Sequence, residues 1–357
     1  TGYRMEIFMK KKLLKTLCLA ALGIFACSTI TMAEEITTSA VIPETSTTVI
    51  STTDTTVAST TNTPTDATIV KKKPKIKSTI KKISLNKTVL RLNKKDSRSL
   101  KALYTDKKKE GIIWVSKNPS IAKVNKKGVV TGKKKGTTYV YCMSKSKKVK
   151  AKCKVVVGNF KYMAVTFDDG PSPYTKKLVD SLKKYNYNST FFVVGQYVTA
   201  KKSVLKESFN NGNEIGSHSY DHAKLTSLSE SDIKSEFNKT KSVVKSAIGI
   251  YPTLIRPPYG SFNDTVSKLA DVPMIYWSVD TLDWKNRNVN YVYKEIIKSA
   301  DKGEIILLHD SHPTSVDGFI KALPELNKKG YELVTVSELF KLNKKNLKPG
   351  TMYYNCY

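Results

Sequence analysis

Val165-Thr-Phe-Asp-Asp-Gly-Pro171 closes an apolar run that begins at Tyr162. The run reads as a buried strand, stopped by two adjacent carboxylates and then turned by Gly170 and Pro171. Two acids at a strand tip repel each other and gain nothing from packing. A turn capped by an Asx side chain needs one of them at most. A surface turn therefore fits this stretch alone, but the histidines argue for chemistry. All four, His218, His222, His309 and His312, lie downstream of it. One carboxylate with two closely spaced histidines is a zinc-type ligand set that leaves room for water.

Outward from this stretch, residues 159–342 alternate apolar runs with amphipathic ones. Strands are expected at 162–167, 190–194, 213–216, 253–256, 274–279, 304–308 and 331–336. One intervening helix carries Tyr174, Leu178, Val179 and Leu182 on a single face. A second starts at Ser229 with Asp232 three residues on, and presents Ile233 and Phe237. A third carries Val292, Ile296 and Ile297. Repeated strand–helix units imply a parallel sheet, open or closed into a barrel. Five polar clusters then fall at strand C-terminal ends: Asp168–Asp169, His218 with His222, Arg256 to Gly260, Asp280 with Asp283 and Trp284, and His309–Asp310. In a parallel layout those ends share one face, where sites are built.

His218 and His222 are spaced i, i+4, so on a helical turn both imidazoles would face one way and grip one metal. An exposed histidine pair fits the same spacing. The chain prefers lysine, with only Arg4, Arg91, Arg98, Arg256 and Arg287 departing from it. Arg256 before Pro257-Pro258 suggests a planar fork held for a carboxylate, or else a rigid surface turn. The prolines stiffen the loop, so a backbone N–H beyond them can be aimed at a developing oxyanion. His309 at a strand end can donate a proton if a neighbouring aspartate keeps it charged. Trp284 and Leu307 either wall a small apolar pocket or pack in the core. His312 is expected on an exposed loop.

The formal net charge of +31 is uneven. Residues 71–157 hold 27 lysines and two arginines against three acids, a net +26, whereas 158–357 come to +6. Lysine dominates with little aromatic interleaving, which suits diffuse attraction to polyanions better than base readout. Lys10, Lys11, Lys12 and Lys15 precede an apolar run from Leu17 to Cys27, and Thr31-Met32-Ala33 fits a signal-peptidase site. A lipid anchor through Cys27 or an uncleaved membrane anchor are the other readings. The Thr/Ser-rich stretch 36–70 reads as a spacer that cannot bury a core. Short alternating runs from Ile80 to Val157 read as a small sandwich. Cys142 and Cys153 flank a hairpin, either as a disulfide or as two buried thiols.

Two resemblances sharpen this reading. Trp114-Val-Ser-Lys-Asn-Pro-Ser-Ile-Ala-Lys-Val124, Gly128-Val-Val-Thr-Gly132 and Gly136-Thr-Thr resemble the bacterial Ig-like domains of the second group, accessory modules of cell surfaces. Thr166-Phe-Asp-Asp-Gly-Pro171, His218-Ser-Tyr-Asp-His222, Arg256-Pro-Pro-Tyr-Gly260, Asp280-Thr-Leu-Asp-Trp284 and Leu307-Leu-His309 resemble, in order, the five motifs of the polysaccharide deacetylases, the NodB-like fold of carbohydrate esterase family four. The resemblance implies an α/β chain: a distorted (β/α) barrel preceded by a small all-β Ig-like sandwich. It implies Asp168 as general base, oriented by Arg256. Asp169, His218 and His222 would hold a divalent metal, usually Zn2+. The Tyr259 backbone N–H would meet the oxyanion, and His309, tuned by Asp283, would be the general acid. Trp284 and Leu307 would line the acetyl-methyl pocket. Ser219 stands where threonine is frequent.

The expected organisation is a signal peptide (1–33), a linker (34–78), the Ig-like domain (79–157), the catalytic domain (158–345) and a C-terminal tail (346–357). The expected activity is metal-dependent N-deacetylation of an extracellular glycan, peptidoglycan N-acetylglucosamine first. Chitooligosaccharide, poly-N-acetylglucosamine and acetylxylan are the alternative substrates, and a non-catalytic adhesin is the alternative class. The expected partners are the glycan and anionic wall polymers, with no nucleic acid, for a secreted or wall-associated monomer.

Overall fold

The computed structural model describes residues 80–106 and 110–357. The expected signal peptide and linker lie outside the described residues. No helix among the described residues is long and apolar enough to cross a membrane.

Among the described residues the first module has the strands β1 (Ile83–Leu85), β2 (Val89–Asn93), β3 (Ser97–Ser99), β4 (Ala102–Tyr104), β5 (Ile112–Ser116), β6 (Ala122–Val124), β7 (Val129–Gly132), β8 (Gly136–Ser144) and β9 (Lys150–Gly158). They form a sheet of order β2-β9-β8-β5, a second of order β3-β7-β6, and the pair β1-β4. Strict alternation makes the sandwich: in β8 and β9, Val140, Cys153, Val155 and Val157 point inward onto Leu90, Leu92, Leu100 and Val130. Trp114 packs against this core. Cys142 lies opposite Ala151, and Cys153 opposite Val140. Both are buried free thiols, so the disulfide alternative falls away.

The second module opens with β10 (Lys161–Gly170), followed by α1 (Thr175–Tyr185), β11 (Thr190–Val193), α2 (Gly195–Val198), α3 (Lys202–Asn210), β12 (Glu214–Ser217), α4 (Glu230–Ile248) and α5 (Asp264–Leu269). Then come β13 (Met274–Ile275), β14 (Val279–Asp280), α6 (Val289–Ser299), β15 (Ile305–His309), α7 (Pro313–Lys328), β16 (Tyr331–Leu333), α8 (Val336–Leu342) and β17 (Met352–Tyr353). The order β12-β11-β10-β15-β14 is parallel throughout, with β16 beside the start of β10. β10 is buried on both faces, as a central parallel strand must be. Met163, Val165 and Phe167 face the helices, against Leu178, Val179 and Phe319. Tyr162 and Ala164 face inward with Phe192 and Ile305, so Asp168 stands on the inward face at the strand's C-terminal end.

Three expected strands differ from the structure. Residues 253–256 form no strand; Ile255 alone bridges Ser217 and Met274. Pro252 and Pro257 on either side remove the N–H donors that a ladder needs. Residues 274–279 split into β13 and β14, and β13 pairs with β17, within the segment read as a tail. The run 331–336 stops at Leu333, because the Thr335 side chain accepts the Glu338 N–H and caps α8. Broken pairing from Leu254 to Ser278 is what distorts the barrel.

The two modules meet at the N-terminal ends of the barrel strands. Arg98 is fully buried there. Its Nη1 donates to Glu332 Oε1 at 2.6 Å, and its Nε and Nη2 fork onto the Glu338 carboxylate at 2.9 and 3.1 Å. Asn186, the left-handed cap of α1, accepts from the Thr88 and Val89 backbone N–H groups with its side-chain oxygen. Tyr162 donates to Asp96, and its hydroxyl accepts from the Asn93 N–H.

Candidate active site

The barrel mouth gathers residues from four strand ends, those of β10, β12, β14 and β15, and from the segment just after the Ile255 bridge. Asp169 follows the last inward residue of β10 with a left-handed φ of 69°. Its Oδ1 lies 3.6 Å from His218 Nε2 and 3.3 Å from His222 Nε2. That oxygen is buried and has no hydrogen-bond donor. His218 Nδ1 lies 2.7 Å from the Arg256 carbonyl oxygen, which fixes the proton on Nδ1 and leaves the Nε2 lone pair facing Asp169. Burial pushes the His218 pKa down and keeps the ring neutral, although Asp168 and Asp169 pull the other way. A carboxylate oxygen and two imidazole nitrogens, all within 4.8 Å of one another, are converging electron-pair donors. Such a set fits a divalent cation and leaves positions for water.

The histidine pair does not ride on a helical turn, as its spacing suggested. Ser219 and His222 both take left-handed φ values, 61° and 69°, so the loop folds back on itself. Glu236 of α4 holds this bend: its Oε2 accepts from the N–H groups of Tyr220 (2.6 Å) and Asp221 (3.1 Å). Glu236 escaped the sequence reading. Its signal was there, an acid beside Ile233, Phe237 and Thr240 on the buried face of a helix.

Asp168 is buried beside the ligand set and clamped. Arg256 Nη1 donates to Asp168 Oδ1 at 2.8 Å and to Thr166 Oγ1 at 2.7 Å. The other nitrogens of the fork go to the Ile275 and Tyr276 carbonyls, and the guanidinium lies over the Phe192 ring at 4.3 Å. Arg256 is completely buried, so the surface-turn alternative is wrong. Beyond Pro257-Pro258, Tyr259 adopts φ 60° and is two-thirds exposed. Its hydroxyl lies 3.2 Å from His222 Nδ1, a contact the sequence did not suggest.

On the opposite side, Asp283 is fully buried and accepts twice from His309, from Nδ1 at 2.9 Å and from the backbone N–H at 2.8 Å. Burial by itself would lower the His309 pKa. The Asp283 hydrogen bond and charge, reinforced by Asp168 and Asp169, outweigh it and raise the pKa to about 9. Leu307 is buried on β15, two residues before His309 and on the same face; Trp284 is 46% exposed and is not core. His312 is half-buried rather than on an open loop, its ring 6.0 Å from that of His309. Asp310, given no role from the sequence, is buried against Gly170 and accepts from Thr175 Oγ1 at 2.5 Å. Burial drives its carboxyl up to about 7.

Two family models match this chain. The family model described as polysaccharide deacetylase matches residues 156–274, and that of the bacterial Ig-like domain (group 2) matches 79–155. The peptidoglycan-N-acetylglucosamine deacetylase PgdA of Listeria monocytogenes is 40% identical over 196 residues, 55% of this chain and 41% of the relative. The peptidoglycan-N-acetylmuramic acid deacetylase PdaC of Bacillus subtilis is 40% identical over 187 residues, 52% of this chain and 40% of the relative. The chain thus spans about two fifths of the length of these curated relatives. A solved structure of PdaC superposes with a TM-score of 0.51, covering 52% of this chain and 93% of that one at 40% identity. A family 4 acetyl xylan esterase from Clostridium thermocellum, solved with a cobalt ion, gives a TM-score of 0.52 at 32% identity, covering 55% and 98%.

Proposed function

Because this chain belongs to the polysaccharide deacetylase family, we propose that it hydrolyses N-acetyl groups on an extracellular glycan, peptidoglycan N-acetylglucosamine first, and releases acetate. The observation that carries the proposal is the pairing of Asp169 Oδ1, facing two imidazole nitrogens, with Asp168 clamped by Arg256 beside it. Asp169, His218 and His222 would hold the cation, zinc in our reading. When bound, it would supply Lewis-acid polarisation of the acetyl carbonyl and a more acidic water.

The protein's own residues do the rest. Asp168 takes a proton from water as its oxygen attacks the carbonyl carbon. Arg256 holds Asp168 in line. The Tyr259 N–H donates to the oxygen as negative charge gathers on it. His309, anchored through Nδ1 by Asp283, gives its Nε2 proton to the departing amine nitrogen, the C–N bond breaks, and acetate leaves. Leu307 and Trp284 flank the acetyl methyl group. The likeness to PdaC favours N-acetylmuramic acid as a second substrate. Export rests on the lysine-fronted apolar run before Ala33.

The test is acetate release from purified peptidoglycan, N-acetylglucosamine oligomers and acetylxylan. Release should stop with a chelator, return with zinc, and fall about a thousandfold in Asp168→Asn. Release that a chelator leaves untouched would sink the proposal.

A further inference from the structure

We propose that the outer face of the four-stranded sheet in the Ig-like module is a binding platform for a polyanionic glycan. The platform arises from strand register. Along β9, Lys150, Lys152 and Lys154 alternate with inward residues, so three exposed ammonium groups line one face at intervals of about 6.7 Å. On the neighbouring strand, Met143, Tyr141 and Tyr139 stand directly across from those lysines in turn. One strand further, Ile113 and Val115 of β5 pair with Met143 and Tyr141. Two rows thus run from apolar to aromatic or thioether to cationic, Ile113–Met143–Lys150 and Val115–Tyr141–Lys152, and Tyr139 with Lys154 forms a third without an apolar member. Val115 is 43% exposed, and Lys152 Nζ lies 5.5 Å from the Tyr139 ring centre.

The β2 edge of this face is taken up by the barrel, where Arg91 reaches the Tyr185 carbonyl and Glu332; nothing in the sandwich requires the part formed by β9, β8 and β5. Its core lies on the opposite side of the sheet. The three acids described in the module are engaged elsewhere: Asp96 with Tyr162, Asp106 with the Gly111 N–H and Glu110 with the Ser146 N–H. A row of like charges repels itself, and tyrosines half-open to solvent beside it bury little apolar surface. An unbranched chain of sugar rings bearing carboxylates or phosphates satisfies both. Its anions meet the ammonium row, and its C–H ring faces lie on the tyrosines. The sequence reads as aromatic-poor here because the tyrosines and lysines sit on different strands. The choice of a glycan over a nucleic acid rests on the deacetylase reading of the barrel.

Deleting the module is an unsuitable test, because Glu332 and Glu338 would lose the buried Arg98. Point variants of the whole chain serve instead, with polygalacturonate, a linear carboxylated polysaccharide, as probe. Wild type should bind it, more weakly as salt rises. The triple variant Lys150→Gln, Lys152→Gln, Lys154→Gln should lose about tenfold in affinity. The triple arginine variant should retain binding. Tyr139→Thr with Tyr141→Thr, which keeps strand-forming residues, should also weaken binding while leaving its salt dependence unchanged. Unaltered binding by either the glutamine or the threonine variant would overturn the platform. So would equal affinity for neutral amylose, or tighter binding of duplex DNA than of polygalacturonate. Acetate release from a soluble N-acetylglucosamine oligomer, measured on the same preparations, separates the two readings. Release without polygalacturonate binding rejects the platform alone; binding without release rejects the deacetylase alone.

Discussion

Asp283 and His309 show most directly how one residue sets another's chemistry. A general acid must hold its proton at working pH, and burial opposes that for an imidazolium. The Asp283 carboxylate reverses the balance and raises the His309 pKa to about 9. A cation held at Asp169 would offset that carboxylate's share of the effect, but not the share of Asp283. In Asp283→Asn only the smaller pull of the mouth carboxylates still opposes the burial penalty, so His309 should lose its proton at lower pH. The alkaline limb of the kcat profile should then move towards acid by about a unit or more. An unmoved limb would show that His309 is not the titrating acid. The pairing was suspected from sequence because an aspartate and a histidine each sit at a strand end. The double acceptance by Asp283, including the backbone N–H of His309, was invisible there.

At the scale of the element, the loop that carries His218 and His222 is the instructive case. Spacing i, i+4 suggested a helical turn, and the inference that both rings face one ion came through the wrong geometry. Two left-handed residues, Ser219 and His222, produce the convergence, and the Glu236 carboxylate pins the bend from a different helix. Glu236→Ala should therefore weaken zinc binding by about ten- to a hundredfold, read by competition with a chromophoric chelator. Glu236→Gln keeps an acceptor oxygen and should recover most of that affinity. Equal losses in both variants would point to charge rather than to loop support. The split of β13 from β14 has a similar lesson. Tyr276 to Ser278 lie in a run that reads as one strand, yet the Tyr276 carbonyl is drawn to Arg256 and its N–H to Tyr353.

Across the whole molecule, Arg98 joins the modules as Arg256 joins the parts of the mouth. Removing it would leave two carboxylates packed at a buried junction without a counter-charge. Arg98→Ala should cost about 3–5 kcal/mol in a denaturant titration, without touching the mouth at the other end of the barrel strands. A loss under 1 kcal/mol would mean that the junction contributes little. Scarcity of arginine in a lysine-rich chain pointed to Arg256, and the same reasoning applies to Arg98, which has no proline-stiffened loop to draw notice. By itself the sequence determined the strand–helix rhythm, the alternating sandwich, the acids and histidines after strands, and the arginine before its proline pair. Each of these follows from local periodicity and turn chemistry, which adjacent residues encode. Tertiary structure alone decided which carboxylate meets which nitrogen, how the histidine loop bends, that the last strand pairs with β13, and that lysines and tyrosines from neighbouring strands share one face. Those outcomes depend on hydrogen bonds and burial between segments far apart in the chain, where spacing carries no information.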